Sequence, residues 1–353
     1  QLARDLAHGR VGHLGWEDLR LTFEETQAIA STVPGVDHDR LQTLHAQASG
    51  WVAGTVLMLE RYQANEAWTA PQPADARAGV FPYFAAQVFV NMDARTQEVL
   101  LRTALLPWIT EGMAAEVSGH TGAGHVLREL YRRGLFVDRR VDTQVAYQYH
   151  DLFREFLLEQ YPVHFEGETL TNLKRIAAGV AERSGQKETA IALYAEVQAW
   201  DDLSRVICAM SEAWLAQGRY QTLQSSIARL PPNERDQRPW LLYWSGMSRL
   251  VFDPLGARAD LEAAYRQFER TDQDLAGLLL SASGVIESYY CAVDEMSPTI
   301  PWGDQLHRLL AQHQGFLSVA IQAQVMMNML GLIFACPHHP LLQELERDVD
   351  RIL

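Results

Sequence analysis

Residues 127–157 read LRELYRRGLFVDRRVDTQVAYQYHDLFREFL, and the change of period inside this stretch decides the fold class. A helical pattern over 123–133 stops at Gly134, the residue type that best accepts the left-handed conformation closing a helix. The period then switches to two. Leu135, Phe136 and Val137 on one side, and Val145, Tyr147 and Tyr149 on the other, flank Val141-Asp142-Thr143-Gln144, which predicts a β-hairpin. A further helix is expected from Asp151, with Phe153, Phe156 and Leu157 on one face. Upstream, helical patterns cover 81–91, 94–106 and 112–118, and Asp93 is placed to cap the second of these. Three or four helices followed by a hairpin is the order of a winged helix, expected over 80–165.

On the N-terminal side, residues 1–65 read as a short helix, a strand over 14–21 and two helices. Thr22 precedes Glu24 and Glu25, a capping residue followed by acids near the positive end of the helix dipole. Helical apolar spacing runs through Leu41, Leu44, Ala48, Trp51, Val52, Val56 and Leu59. Residues 66–79, with Pro71 and Pro73, are rich in Ala and Pro and lack periodicity, so they are expected to form a linker.

On the C-terminal side, 166–353 shows helical patterns and no strand signal. Helices are expected over 171–184, 187–198, 202–217, 220–230, 239–252, 255–270, 273–292, 302–313, 316–335 and 341–353. A loose repeat separates them. Gly185 precedes Ala190, Leu193 and Tyr194. Gly218 follows about 33 residues later ahead of Tyr220 and Leu223, and Asp253-Pro254 a similar step later ahead of Ala259, Leu261 and Ala264. A period near 34 residues built from helix pairs is the tetratricopeptide spacing, although no repeat carries the full consensus. The fold class is therefore mainly α: a helical arm and a winged helix, then a tetratricopeptide-like α-solenoid of helix pairs.

Composition narrows the function classes. The net charge of −14 is a poor whole-surface match for duplex DNA or an anionic membrane, because both are engaged largely through Lys and Arg. Cys208, Cys291 and Cys336 lie far apart, which is neither a disulfide framework nor a paired metal motif and fits a cytoplasmic setting. The apolar run Val325 to Cys336 is shorter than the roughly 20 residues that span a bilayer, and no charged-then-apolar leader is seen. The chain starts at Gln1 and its first methionine is Met58, so it is expected to be a piece of a longer protein.

Three stretches together resemble a known family. The first is LRLTFEE over 19–25 followed by ASGWVAG over 48–54; the second is residues 127–137 with YQYHDLFREFL over 147–157; the third comprises 190–200, 218–231 and 240–268. They resemble, respectively, the end of the ATPase core with its helical arm, the winged helix and the repeat region of the maltose-activator group. That group belongs to the signal-transduction ATPases with numerous domains, the STAND class. The resemblance weakens after about Ser297, and the segment YHDLFREFL is its most specific part. It implies a resting state with ADP held between the nucleotide-binding core and the winged helix. An inducer on the superhelix, with ATP exchange, would then permit self-association and action through an effector domain, usually DNA-binding. This sequence has no GxxxxGK[ST] loop and no evident LuxR-type helix-turn-helix. ATP or ADP binding, slow hydrolysis and DNA contact are accordingly expected of parts outside this chain, with no cofactor and no catalysis within it.

The resemblance gives His150 a specific role, contact with the β-phosphate of ADP in the intact protein; the plain alternative is a histidine satisfied at the junction of wing and helix. Arg128, Arg132, Arg133, Arg139 and Arg140 suggest either a DNA surface or a solvated face that docks on the ATPase core. Trp200, Trp214, Trp240, Tyr243, Trp244 and Trp302 are candidates to line a groove for a small-molecule inducer or a protein, against the commoner role of aromatic core. Cys336, His338 and His339, and separately His120 and His125, have metal-ligand types without the paired spacing of a site. A regulator's switch and sensor is thus the leading reading, ahead of a stand-alone interaction scaffold and a winged-helix DNA binder.

Overall fold

The computed structural model describes residues 21–63 and 85–340, apart from 32, 34–35, 37, 49–51, 87, 142–143, 271–273, 314–317, 329–331 and 333–334. The expected strand over 14–21 (but for Leu21), Trp51, the linker over 66–79, the tip of the hairpin and the helix over 341–353 lie outside the described residues. The chain divides into two compact units, Gln1–Glu166 and Gly167–Leu353.

The N-terminal unit begins with α1 (Phe23–Ala30), α2 (His38–Ala48) and α3 (Val52–Gln63), so the apolar spacing over 41–60 belongs to two helices. Thr22 and Glu25 form a reciprocal capping box at the start of α1. The Glu25 N–H donates to Thr22 Oγ1 at 3.2 Å, and the Thr22 N–H donates to Glu25 Oε2 at 2.8 Å. Ala30, Leu41 and Leu59 are buried together, with Phe23, Ile29, Val33, Val36 and Leu44 packed around them.

The winged helix follows. It comprises α4 (Ala94–Thr103), α5 (Glu111–Ser118), α6 (Ala123–Arg132), β1 (Val137–Val141), β2 (Val145–Tyr149), α7 (Asp151–Glu159) and the short α8 (Tyr161–His164). Asp93 caps α4 by accepting from the Thr96 N–H at 3.0 Å. The strands are antiparallel, paired from Val137 with Tyr149 to Val141 with Val145. A bridge not evident in the sequence adds a third partner: Ile109 and Tyr147 exchange both backbone hydrogen bonds, at 2.8 and 2.7 Å. The single buried residue Ile109 carries no period-two pattern, so the sequence offers no strand signal there. Leu100, Leu106, Ile109, Leu127, Tyr149, Phe153 and Leu157 form the fully buried interior.

The C-terminal unit consists, among the described residues, of helices alone. They are α9 (Gly167–Arg183), α10 (Lys187–Glu196), α11 (Trp200–Ala216), α12 (Tyr220–Ile227), the four-residue α13 (Pro232–Arg235), α14 (Pro239–Arg249), α15 (Pro254–Arg270), α16 (Leu275–Ala292), α17 (Ile300–His313) and α18 (Val319–Asn328), with a 3₁₀ turn at Ser297–Thr299. Successive helices pack on one another, and the first helices of successive pairs also touch: α11 on α14, α14 on α16, and α16 on α18. These first helices start at residues 167, 200, 239 and 275, steps of 33, 39 and 36 residues. The insertion of α13 accounts for the longest step. Gly185 and Gly218 take φ of +85° and +70°, and the next residue's N–H bonds back to Ala181 and Trp214 respectively, each at 2.8 Å. This left-handed closure is what glycine permits at low cost and what lets each pair turn sharply.

The helix α16 is long and apolar enough to cross a membrane by length and composition. Here Leu278, Leu279, Ala282, Val285 and Ile286 are buried against α15, α17 and α18, so the helix is the core of its unit.

Candidate functional site

The junction of wing and helix is built from the segment 147–157. The His150 N–H donates to the Phe136 carbonyl at 2.9 Å, extending the ladder one step beyond the last strand pair, and the His150 carbonyl accepts from the Arg154 N–H at 2.9 Å, opening α7. One residue thus ends a strand and starts a helix. Its imidazole is exposed and does not cap α7, whose first turn carries Asp151. Behind it lies an aromatic interior. Phe136 stacks on Phe153 with ring centres 4.6 Å apart, and Phe153 on Phe156 at 6.1 Å. Tyr149 is buried, its hydroxyl 2.6 Å from Thr103 Oγ1, and burial drives its pKa up. Arg154 reaches across to the end of α4: its Nε donates to the Ala104 carbonyl at 2.7 Å and one terminal nitrogen to that of Leu105 at 3.2 Å. Charge-assisted bonds of this kind are strong, and they fix α7, hence the backbone of His150, to the helical part of the domain. The sequence reading did not pick out Arg154; its place among Phe153 and Phe156 was the available signal.

The five arginines do not form one cationic surface. Arg128 pairs with Glu111 at 2.5 Å and Arg132 with Glu129 at 2.6 Å, while the Arg139 guanidinium lies 6.0 Å from the Tyr131 ring centre. Arg133 and Arg140 are exposed. Of the histidines in the nearby Gly-rich turn, His120 bonds Glu98 at 2.9 Å, which holds that carboxylate below its ordinary pKa range, and His125 is exposed. No three His, Cys, Asp or Glu side chains are grouped to hold a metal among the described residues. His339 is buried and bonds Asp304 at 3.1 Å, a structural contact.

In the C-terminal unit the aromatic candidates divide. Trp214 and Tyr243 are buried, and the Arg219 guanidinium sits 5.6 Å from the Trp214 ring centre. Their rings are packing, which removes both from the surface that sequence reading assigned to a ligand. Trp240, Trp244, Trp200 and Trp302 are partly exposed. Trp240 and Trp244 converge with Tyr243: ring centres are 5.6 Å apart for Trp240–Tyr243 and 4.9 Å for Tyr243–Trp244. The Trp240 indole N–H donates to Asp274 at 3.1 Å. Trp302 packs edge-on against Tyr265 at 5.2 Å. A separate open cleft of about 590 Å³ lies between residues 218–224 and Arg249, Phe252 and Asp253. One group escaped sequence reading altogether. Glu287 is the single charged side chain of the 18-residue α16, and one of its carboxylate oxygens is buried without a hydrogen-bond partner.

Comparison with known proteins finds similarity over the junction. Residues 85–169 match the model of the MalT winged helix domain. The HTH-type transcriptional regulator MalT of Klebsiella pneumoniae subsp. pneumoniae is 25% identical over 240 residues, which covers 65% of this chain and 26% of that protein. The protein of the same name from Klebsiella pneumoniae strain 342 is 28% identical over 155 residues, 42% of this chain and 17% of its own length. This chain therefore spans about a quarter or less of the length of the curated relatives it matches. Its strand-to-helix junction at His150 lies inside the matched segment, so this part of the chain is similar to the MalT winged helix domain.

Proposed function

We propose that this chain is the switch and sensor portion of an ATP-dependent transcription regulator: the winged helix responds to the bound nucleotide, and residues 167–353 receive an inducer or a partner protein. In this reading 1–65 is the end of a nucleotide-binding core and its arm, 66–79 a linker, and the repeats a tetratricopeptide-like superhelix of the STAND type. The observation that carries the switch is the placement of His150, exposed at the start of α7 within the segment similar to MalT. A helix N-terminus presents unpaired N–H groups and a positive dipole end, both favourable to phosphate. A histidine there adds a hydrogen bond to a charged group, about 1.5–3 kcal/mol. That alone is far below the roughly 8 kcal/mol of micromolar affinity, so the remaining contacts must come from a phosphate-cradling core outside this chain. The intact protein would then be cytoplasmic, bind and slowly hydrolyse ATP, self-associate on activation and reach DNA through another domain, of the LuxR type. Pairing of Arg128 and Arg132 with acids on the same domain weighs against the winged helix as a DNA reader.

The test uses the full-length protein. His150→Ala is expected to speed ADP release by about tenfold or more, the equivalent of 1.4 kcal/mol, and to raise basal activity. The measurement is the dissociation rate of a fluorescent ADP; a rate equal to wild type removes His150 from the switch.

A further inference from the structure

His150 stands between two side chains that grip one short stretch of chain. On the strand side, the Tyr149 hydroxyl lies 2.6 Å from the hydroxyl of Thr103, the last residue of α4. On the helix side, Arg154 donates to the carbonyls of Ala104 and Leu105, the next two residues, at 2.7 and 3.2 Å. Tyr147 closes the far end of the same stretch through its two backbone bonds with Ile109. Thr103, Ala104, Leu105, Leu106 and Ile109 are buried. The carbonyls of Ala104 and Leu105 lie past the end of α4, where the helix offers them no N–H partner. The guanidinium supplies both donors, and its charge sits at the negative end of the helix dipole. Beyond α7, the Tyr161 hydroxyl donates to the Leu101 carbonyl at 2.7 Å, so α7 is hitched to α4 at both ends.

We propose that Arg154 and Tyr149 are positioning residues for His150, holding its imidazole where it meets the phosphate of a nucleoside diphosphate. The inference rests on the switch reading above and deepens it: the end of α4 sets the geometry of the contact. The His150 backbone is fixed at both polar groups, by the Phe136 carbonyl and by the Arg154 N–H, each at 2.9 Å. Arg154 lies one helical turn after His150, so its anchored side chain governs the first turn of α7, from which the exposed imidazole projects. A hydrogen bond weakens steeply as its angle departs from linearity. A binding group must therefore be held to within about 0.5 Å by the residues packed and bonded behind it.

The experiment uses the full-length protein and follows the dissociation rate of a fluorescent ADP. Arg154→Lys exchanges the planar fork for a point charge. Tyr149→Phe removes the hydroxyl alone: the ring keeps its edge-on packing against Phe153, and Thr103 Oγ1 keeps its bond to the Val99 carbonyl at 2.6 Å. Each substitution is made with His150 present and again with His150→Ala, and the melting temperature is recorded for all. Each is expected to speed ADP release about threefold or more when His150 is present, within the coupling typical of residues in one hydrogen-bond network. With His150→Ala already in place, the same substitution should change the rate no further, since there is then no imidazole to misplace. An equal acceleration in both backgrounds, or none in either while His150→Ala itself speeds release, overturns the positioning role and leaves the switch reading intact. A wild-type rate in His150→Ala overturns the switch reading and the positioning role with it. If Arg154→Lys does not fold, Tyr149→Phe decides alone.

Discussion

Two side chains in this protein show how one residue can be read in opposite ways. Arg154 sits on a helix face between aromatic residues and looks like solvent decoration, yet it caps the end of α4 with two charge-assisted hydrogen bonds. Arg154→Ala is expected to destabilise the N-terminal unit by about 2–3 kcal/mol, since bonds to a charged group contribute about 1.5–3 kcal/mol. Arg154→Lys should restore only part, because an ammonium cannot reproduce the planar fork. Urea titration measures both. Glu287 is the converse, a charge held where it costs stability. Its folded-state pKa lies above the ordinary glutamate value of 4.5. For a carboxyl shifted upward the folded state binds the proton more tightly, so stability is greatest below 4.5 and falls as the pH rises from there through the folded-state value. Glu287→Gln should therefore raise the melting temperature at neutral pH, with the gain shrinking to nothing as the pH is lowered to about 4.5. A gain that does not change between pH 7 and 4.5 would mean that the charge is not its source.

At the scale of the element, the solenoid depends on glycine where helices approach closely. A side chain at Gly277 in α16 would place its Cβ 2.5 Å from the Phe268 ring of α15, and one at Gly246 in α14 would meet Leu261 at 2.6 Å and the Ala257 carbonyl at 3.0 Å. Phe268 and Leu261 are fully buried, so neither can swing into solvent. Gly277→Ala should cost about 1–3 kcal/mol, as overpacking of a filled core does, although alanine is the better helix former by about 1 kcal/mol. Thermal unfolding followed by circular dichroism decides it. If the ring simply shifts, the helix propensity wins and the variant melts higher. The helix termini were legible because their chemistry is local: Thr22, Asp93, Gly185 and Gly218 act through their own backbone neighbours. The Ile109–Tyr147 bridge was not, because its partners are 38 positions apart and a single residue has no period.

For the molecule as a whole, charge governs the response to nucleic acid. A net charge of −14 opposes phosphate approach, and Arg128 and Arg132 on α6 are paired with Glu111 and Glu129. The chain should give no sequence-selective retardation of duplex DNA at physiological salt. Selective retardation in a gel-shift assay, abolished by Arg132→Glu with Arg133→Glu, would establish the DNA-binding alternative.

The sequence by itself determined the order of elements and the nature of both units, because hydrophobic period, caps and breakers are properties of neighbouring residues. It also determined where His150 stands, since a strand that ends and a helix that begins leave one residue between them. Only the tertiary structure decided which aromatic side chains are packing and which are surface. Trp214 and Trp240 have similar sequence surroundings, but the first is closed over by other helices and the second is not. The same holds for Glu287. A lone charge in an apolar helix can face water or the interior, and the burial of one Glu287 oxygen follows from how α16 packs among its neighbours.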